Sequence, residues 1–220
     1  MSYQKSLLLV LMLWTAQAHA QVEFPVHPDS MRQDGVPAGK VLGPFEMRCE
    51  TFPGTVRNYW VYVPEQYSPR SPAATCVCQD GLGLANGWKL PIVFDNLIHK
   101  KAMPVTIGIF VSPGIVPPRN PGSQPRFNRS FEYDSMGPRY SKFVVDELLP
   151  AVSVKYNLSS NPNDRLIMGI SSGAIAAFGV AWERPDQFRR VFSSVGTFVS
   201  LRGGNEYPTL IRKYEPRPIR

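Results

Sequence analysis

The sequence predicts an α/β fold, a mostly parallel sheet with helices on both faces, and three observations carry that expectation. β-rich apolar runs alternate with stretches of helical spacing from residue 73 onward. Pro104 to Val111 is a continuous apolar run, as a parallel strand covered on both faces would be. Finally, Gly169-Ile170-Ser171-Ser172-Gly173 joins the apolar run Leu166-Ile167-Met168 to an alanine-rich helical stretch, the strand-to-helix setting of a serine nucleophile elbow.

In chain order, Lys5, the apolar stretch Leu7 to Trp14 and the small-residue site Ala18-His19-Ala20 match a secretory signal peptide over 1–20. The apolar stretch is well short of the roughly 20 residues that span a membrane. Residues 21–40, rich in Pro, Asp and Gly, read as an extended N-terminal arm that packs late or not at all. The domain is expected over 41–220, and about 200 residues suffice for one core without disulfides or a metal. Phe45 to Thr51 and Val56 to Val63 predict an antiparallel hairpin around Pro53-Gly54, closed by Pro64. Ala73 to Gln79 reads as a strand, Asp80-Gly81-Leu82-Gly83 as a glycine loop, and Trp88 to Lys101 as a helix. Pro104 to Val111 follows as a strand. Ser112 to Pro138 is proline-rich with no structure expected, longer than most connections, and such loops tend to be functional.

Tyr140, Val144, Leu148, Val152 and Tyr156 recur at four-residue spacing, an amphipathic helix that Pro150 would kink. Asp164 to Ile170 is the strand entering the elbow, Ala174 to Trp182 a helix stopped by Pro185, and Arg190 to Val195 a further strand. Tyr207 to Tyr214 reads as a short helix, and Pro216, Pro218 and Ile219 as the approach to another strand.

The formal charge of +7 falls by one when Lys5 leaves with the leader, and the basic residues are scattered rather than gathered into a stripe with interleaved aromatics. Nucleic acid is therefore not an expected partner. Three cysteines, Cys49, Cys76 and Cys78, leave at least one thiol unpaired. Cys76 and Cys78 flank Val77 on a strand and point to one face as small hydrophobes, with a bridge from Cys49 to either left open. With only His27 and His99 remaining after processing, no metal site is expected, and no cofactor is implied.

Gly169 and Gly173 frame Ser171 symmetrically, which selects it over Ser172 as the nucleophile. Side chains at those two positions would collide with the neighbouring strand and helix, so the turn lifts the hydroxyl of Ser171 into the open. A serine that merely caps a helix is the structural alternative. No histidine follows Ser171, although the fold that uses this turn orders its triad serine, acid, histidine.

Val61-Tyr62-Val63-Pro64, Gln79-Asp80-Gly81, Glu132-Tyr133-Asp134, the 169–173 pentapeptide and Ala181-Trp182-Glu183-Arg184-Pro185 follow in order and together resemble the esterase family of α/β-hydrolases, related to enterochelin esterases and mycolyltransferases. The resemblance covers roughly Phe45 to Arg220. It implies a carboxylic-ester hydrolase forming an acyl-enzyme on Ser171, with an oxyanion hole from the backbone N–H groups of Ser172 and Leu82. By the same resemblance Asp80, Gly81, Arg129 and Glu132 border the substrate, with Gly81 permitting close approach; an Arg129–Glu132 ion pair that pins the loop is the equal alternative. The substrate is expected to be a small-molecule or carbohydrate-linked ester.

In that fold the acid follows the seventh strand and the histidine the eighth, so the resemblance implies a domain incomplete at its C-terminus, lacking the last strands and closing helix. Glu183, Asp186, Glu206 and Glu215 fall ahead of the expected strand and are not assigned. Two functional classes follow: a secreted or periplasmic ester hydrolase, inactive as this chain, or a noncatalytic binding protein on the same scaffold.

Overall fold

In a computed structural model the described residues are 25–200 and 202–220, so the leader expected at 1–20 and the first residues of the arm lie outside them. The described residues form one eight-stranded sheet. β1 (Lys40–Arg48) and β2 (Val56–Val63) make the expected antiparallel hairpin, and β2 also runs antiparallel to β4 (Thr106–Val111). β3 (Ala74–Cys78) lies between β4 and β7 (Arg165–Ile170), parallel to both, and β8 (Arg190–Ser194) lies parallel beside β7. The β3–β4 and β7–β8 returns pass through helices, which is why those pairs are parallel, whereas the short turn between β1 and β2 forces antiparallel pairing.

Two cores form because alternate strand residues face opposite ways. Val77, Ile107, Ile109 and Ile167 pack with Phe143, Val144, Leu148, Ala177 and Val180 on one face. Cys76, Cys78, Phe110 and Met168 pack with Ala85, Leu90, Phe94 and Ile98 on the other. Helices thus cover both faces, as the pattern of the sequence requires. All three thiols are free and buried, so the possible Cys49 bridge is absent; Cys49 sits instead beside Thr55 and Arg57. Among the described residues no helix is long and apolar enough to cross a membrane.

Several expectations need correction. β1 begins at Lys40, not Phe45, and ends at Arg48: its pairing continues through Gly43-Pro44 with a register shift between Leu42 and Phe45. A proline is tolerated there because β1 is an edge strand, where an N–H is not needed on the outer side. The arm is not loose, since Asn96 donates its side-chain amide to the carbonyls of Asp29 and Met31 at 2.9 and 2.8 Å, and Asp95 accepts from the Gly39 N–H at 2.8 Å. Asp95 also accepts from Tyr62 at 2.5 Å and pairs with Arg32 at 3.1 Å. Polar side chains on one helix, invisible to apolar periodicity, hold the arm.

The glycine loop does not persist to Gly83, because α1 (Gly81–Gly87) starts within it, and α2 (Leu90–His99) follows. The stretch 112–138 is not structureless: it carries β5 (Ile115–Val116), β6 (Arg126–Phe127) and α3 (Arg129–Tyr133). The kinked helix exists in three pieces, α4 (Arg139–Lys142), a wide π-helical turn over Phe143–Leu148, and α5 (Leu149–Ser153). Pro150 lacks an N–H and its ring crowds the carbonyl four residues earlier, and the widened turn sits just ahead of it. α6 (Ser172–Glu183) and α7 (Tyr207–Lys213) complete the helices. After α7, Arg220 donates to the Arg189 carbonyl at 2.7 Å and accepts from the Val191 N–H at 2.8 Å, the bonding pattern of a parallel ladder beside β8.

Burial pushes the Cys76 thiol well above its ordinary value, and burial together with the Asp80 charge pushes Cys78 up to about 12. Both thiols are expected to resist Ellman's reagent in the native state, with all three cysteines titrating once the chain is unfolded in guanidinium. Unfolded thiols ionise near 9.0 while the folded ones keep their protons, so the unfolded state binds fewer protons over this range and stability falls as pH rises. Urea midpoints measured between about pH 8 and about pH 10.5 should therefore decline.

Candidate active site

Ser171 sits between β7 and α6 at φ 56 and ψ −123. A non-glycine residue in that region carries about 1–3 kcal/mol of strain, which the surroundings must hold in place. They do so from both sides: the Ser171 N–H donates to the Ser194 carbonyl at 3.1 Å, and its carbonyl accepts from the Ala174 N–H at 3.0 Å. The reason for the two glycines is visible. A Cβ on Gly169 would run into the carbonyl of Gly173, deep inside contact distance, while one on Gly173 would stand 3.0 Å from the Asp80 carboxylate and 3.2 Å from Gln79. Ser171 is half-buried. Ser172, 8% exposed, opens α6, where the first N–H groups have no carbonyl a turn earlier to bond within the helix.

β3 is the neighbour of β7 and parallel to it, so the two strands deliver their C-terminal ends to the same place. The Gln79 N–H extends that ladder to the Met168 carbonyl at 3.0 Å, and then Asp80 and Gly81 turn left-handed at φ 62 and 68. Gly81 is needed for close approach, but to the protein itself: a Cβ there would strike Ser112 and stand 3.1 Å from Trp60. This turn puts Leu82 in the first turn of α1. Tyr133, wholly buried, accepts the Asp80 N–H at 3.2 Å.

Arg129 grips Asp80 with two hydrogen bonds, Nε to Oδ1 at 2.6 Å and Nη2 to Oδ2 at 2.9 Å, and Nη2 also reaches the Ile170 carbonyl at 3.4 Å. It therefore ties the loop after β3 to the last residue before Ser171. The hydrogen bonds to Asp80 hold the Arg129 guanidinium above its ordinary pKa.

Glu132 is elsewhere. Its carboxylate, 1% exposed, accepts from Arg57 at 2.8 and 3.0 Å, from Asn128 at 2.9 Å and from the Gly114 N–H at 3.2 Å. The expected Arg129–Glu132 pair does not form, and both Glu132 oxygens are engaged inside the protein, so a substrate contact there is corrected to an anchor for α3. Burial draws the Arg57 pKa down, but the Glu132 charge and hydrogen bonds outweigh it and hold Arg57 above its ordinary value. Neither the Arg57–Glu132 pairing nor the Asp80–Arg129 pairing follows from spacing along the chain, since they join residues 75 and 49 positions apart.

A family model described as "Putative esterase" matches residues 51–203, more than half of the chain. The chain belongs to the esterase family. A solved enterobactin esterase from Shigella flexneri is 21% identical, with a TM-score of 0.61 over 86% of this chain and 45% of its own. A ferric enterobactin esterase from Salmonella typhimurium is 19% identical, with a TM-score of 0.60 over 79% and 40%. A ferulic acid esterase from the anaerobic fungus Anaeromyces mucronatus is 16% identical, with a TM-score of 0.57 over 76% and 62%. These likenesses establish the α/β-hydrolase-like fold, and the chain spans less than half the length of the enterobactin esterases it matches.

This member of the esterase family brings Ser171, Ser172, Asp80, Gly81, Leu82 and Arg129 to one end of the sheet. His27 and His99 lie at the other. α1 and then α2 lead from the C-terminal end of β3 back to the start of the parallel β4, so the exposed His99 at the end of α2 lies opposite Ser171. His27 caps a short turn whose neighbour Asp29 docks on Asn96 and Lys100, at that same far end. Of the acids after Ser171, Asp186 is held down to about 2 by its hydrogen bond to Arg184. Among the described residues no group of three His, Cys, Asp or Glu side chains is placed to hold a metal.

The crossing of β7 and α6 has a measurable consequence. Gly169→Ala should cost about 3 kcal/mol of stability because the backbone of α6 must move, while Gly173→Ala, whose Cβ would meet only side-chain atoms at 3.0 Å and beyond, should cost about 1 kcal/mol. Thermal or urea unfolding of the two variants gives the order, and equal costs would contradict this account.

Proposed function

We propose that the chain is a carboxylic-ester hydrolase that works through an acyl-enzyme on Ser171. The observation that carries the reading is the positive φ of Ser171 at the β7–α6 junction, a strain that a serine serving only as a helix cap has no need of. The Ser171 Oγ would attack the ester carbonyl carbon as its proton passes to a base. Negative charge then gathers on the carbonyl oxygen, which the N–H groups of Ser172 and Leu82 would receive, each worth about 3 kcal/mol. The carbon–oxygen bond breaks, the alcohol leaves with the proton, and water releases the acid by the same steps.

Family membership supports a small-molecule ester as substrate, and the solved ferulic acid esterase supports one of an aromatic acid. Export by the leader over 1–20 belongs to the same reading, and so does the absence of any role for nucleic acid.

The described residues hold no histidine beside Ser171, and loss of a triad histidine costs on the order of 10⁶ in kcat. The 220-residue chain by itself is therefore proposed to turn over esters barely at all. That same feature favours a second reading, a noncatalytic binding protein on an esterase scaffold. A fluorophosphonate probe, with labelled peptides mapped, separates them. Slow labelling that added imidazole accelerates at Ser171, and that Ser171→Ala abolishes, supports a nucleophile waiting for a base. Rapid stoichiometric labelling without imidazole would refute the inactivity. No labelling at Ser171 under either condition leaves the binding protein as the reading.

A further inference from the structure

On the far side of α3 from Asp80, three arginines converge on a cleft that the proposed ester chemistry does not use. The cleft measures about 510 Å³, within the range of small-molecule sites, and Arg126, Arg139, Arg202, Phe52, Phe127 and Phe131 lie along it. The guanidiniums of Arg139 and Arg202 both stand over the ring of Phe131, 5.7 and 5.5 Å from its centroid. The ring itself is 41% exposed, Phe127 beside it is 72% exposed, and Phe52 backs Phe131 edge-on at 6.4 Å.

The charge is uncompensated. Arg126, Arg139 and Arg202 form no ion pair and no side-chain hydrogen bond among the described residues, unlike Arg32, Arg57, Arg129 and Arg184, which pair with carboxylates. They share this with isolated surface arginines such as Arg70 and Arg119 but are gathered on one cleft. Glu132 lines the adjoining cleft but is engaged by Arg57, and Glu50, also there, makes no ion pair with any of the three. Like charges gathered at one ring repel unless an anion joins them, and guanidiniums offer paired N–H donors that match a carboxylate. Exposed aromatic rings supply a flat apolar wall, which a second ring stacks on or meets edge-on.

We propose that this cleft is a binding site for a planar aromatic carboxylate, its ring against Phe131 and Phe127 and its carboxylate between Arg139 and Arg202, with Arg126 adding to the positive field. The site stands apart from Ser171 and does not depend on the ester-hydrolase reading.

Titration calorimetry on the 220-residue chain tests it with 4-hydroxybenzoate as the probe, 4-hydroxybenzamide as the uncharged match, and acetate and inorganic phosphate as anions without a ring. Binding of 4-hydroxybenzoate should be about tenfold or more tighter than any of the three. Arg139→Gln with Arg202→Gln should weaken it by at least about tenfold, and Phe131→Leu should weaken 4-hydroxybenzoate without changing acetate. Ser171→Ala should leave it unaltered, which separates this site from the ester chemistry. All four side chains being partly exposed, the variants are expected to keep the native circular dichroism, and each arginine changed singly gives the same direction if the pair does not. Equal binding of the amide removes the charge argument, phosphate or acetate binding as well as the aryl acid reduces the cleft to a general anion site, and no saturable binding, or binding indifferent to the arginines, overturns the proposal.

Discussion

The contact on which the site depends is the crossing of β7 and α6 at Gly169 and Gly173. Two backbones meet there at a distance that leaves no room for a side chain, and the single residue spanning the turn, Ser171, is forced to positive φ. Packing on both sides maintains that strain. α6 is buried along most of its length, with Ala176, Ala177, Val180 and Ala181 in the core against the sheet, and the small side chains let helix and strand approach closely. A larger residue at Gly169 would relax the angle and, with it, the presentation of the serine.

A second constraint aligns the loop after β3 with that turn. Asp80 and Gly81 both adopt left-handed backbone, and three things hold them: the wholly buried Tyr133 hydroxyl beneath the Asp80 N–H, the bidentate grip of Arg129, and the contact of Gly81 with Ser112 and Trp60. Because Arg129 also reaches the Ile170 carbonyl, one guanidinium spans both halves of the site. α3, which supplies Arg129 and Tyr133, is only five residues long and is not stable by its own hydrogen bonds. It is fixed instead by Glu132, buried between it and Arg57 of β2 with the Phe143 ring 4.1 Å from the guanidinium. Removing one partner of such a pair would leave a buried charge alone, so this ion pair anchors α3 by the cost of breaking it more than by the gain of forming it.

The arm follows the same rule at the opposite end of the molecule. Asp95 and Asn96, consecutive residues of α2 and each 1% exposed, bond the backbone of residues 29–39, Asp95 also accepting from the core residue Tyr62. Two polar side chains in a helix thus satisfy backbone groups of a segment that has almost no regular structure of its own.

By itself the sequence determined the alternation of strands and helices, because burial on one or both faces writes its period into the order of apolar residues. β2, β7 and α7 lie within a residue of where that period places them, and the paired glycines mark Ser171 because a turn this tight excludes side chains at fixed offsets. What only the tertiary structure decided are the partners: Arg129 with Asp80 rather than Glu132, Glu132 with Arg57, the arm with α2, and Arg139 and Arg202 over Phe131. A charge attracts any opposite charge and carries no period, so its partner is set by which distant segments the folded backbone brings within a few ångströms.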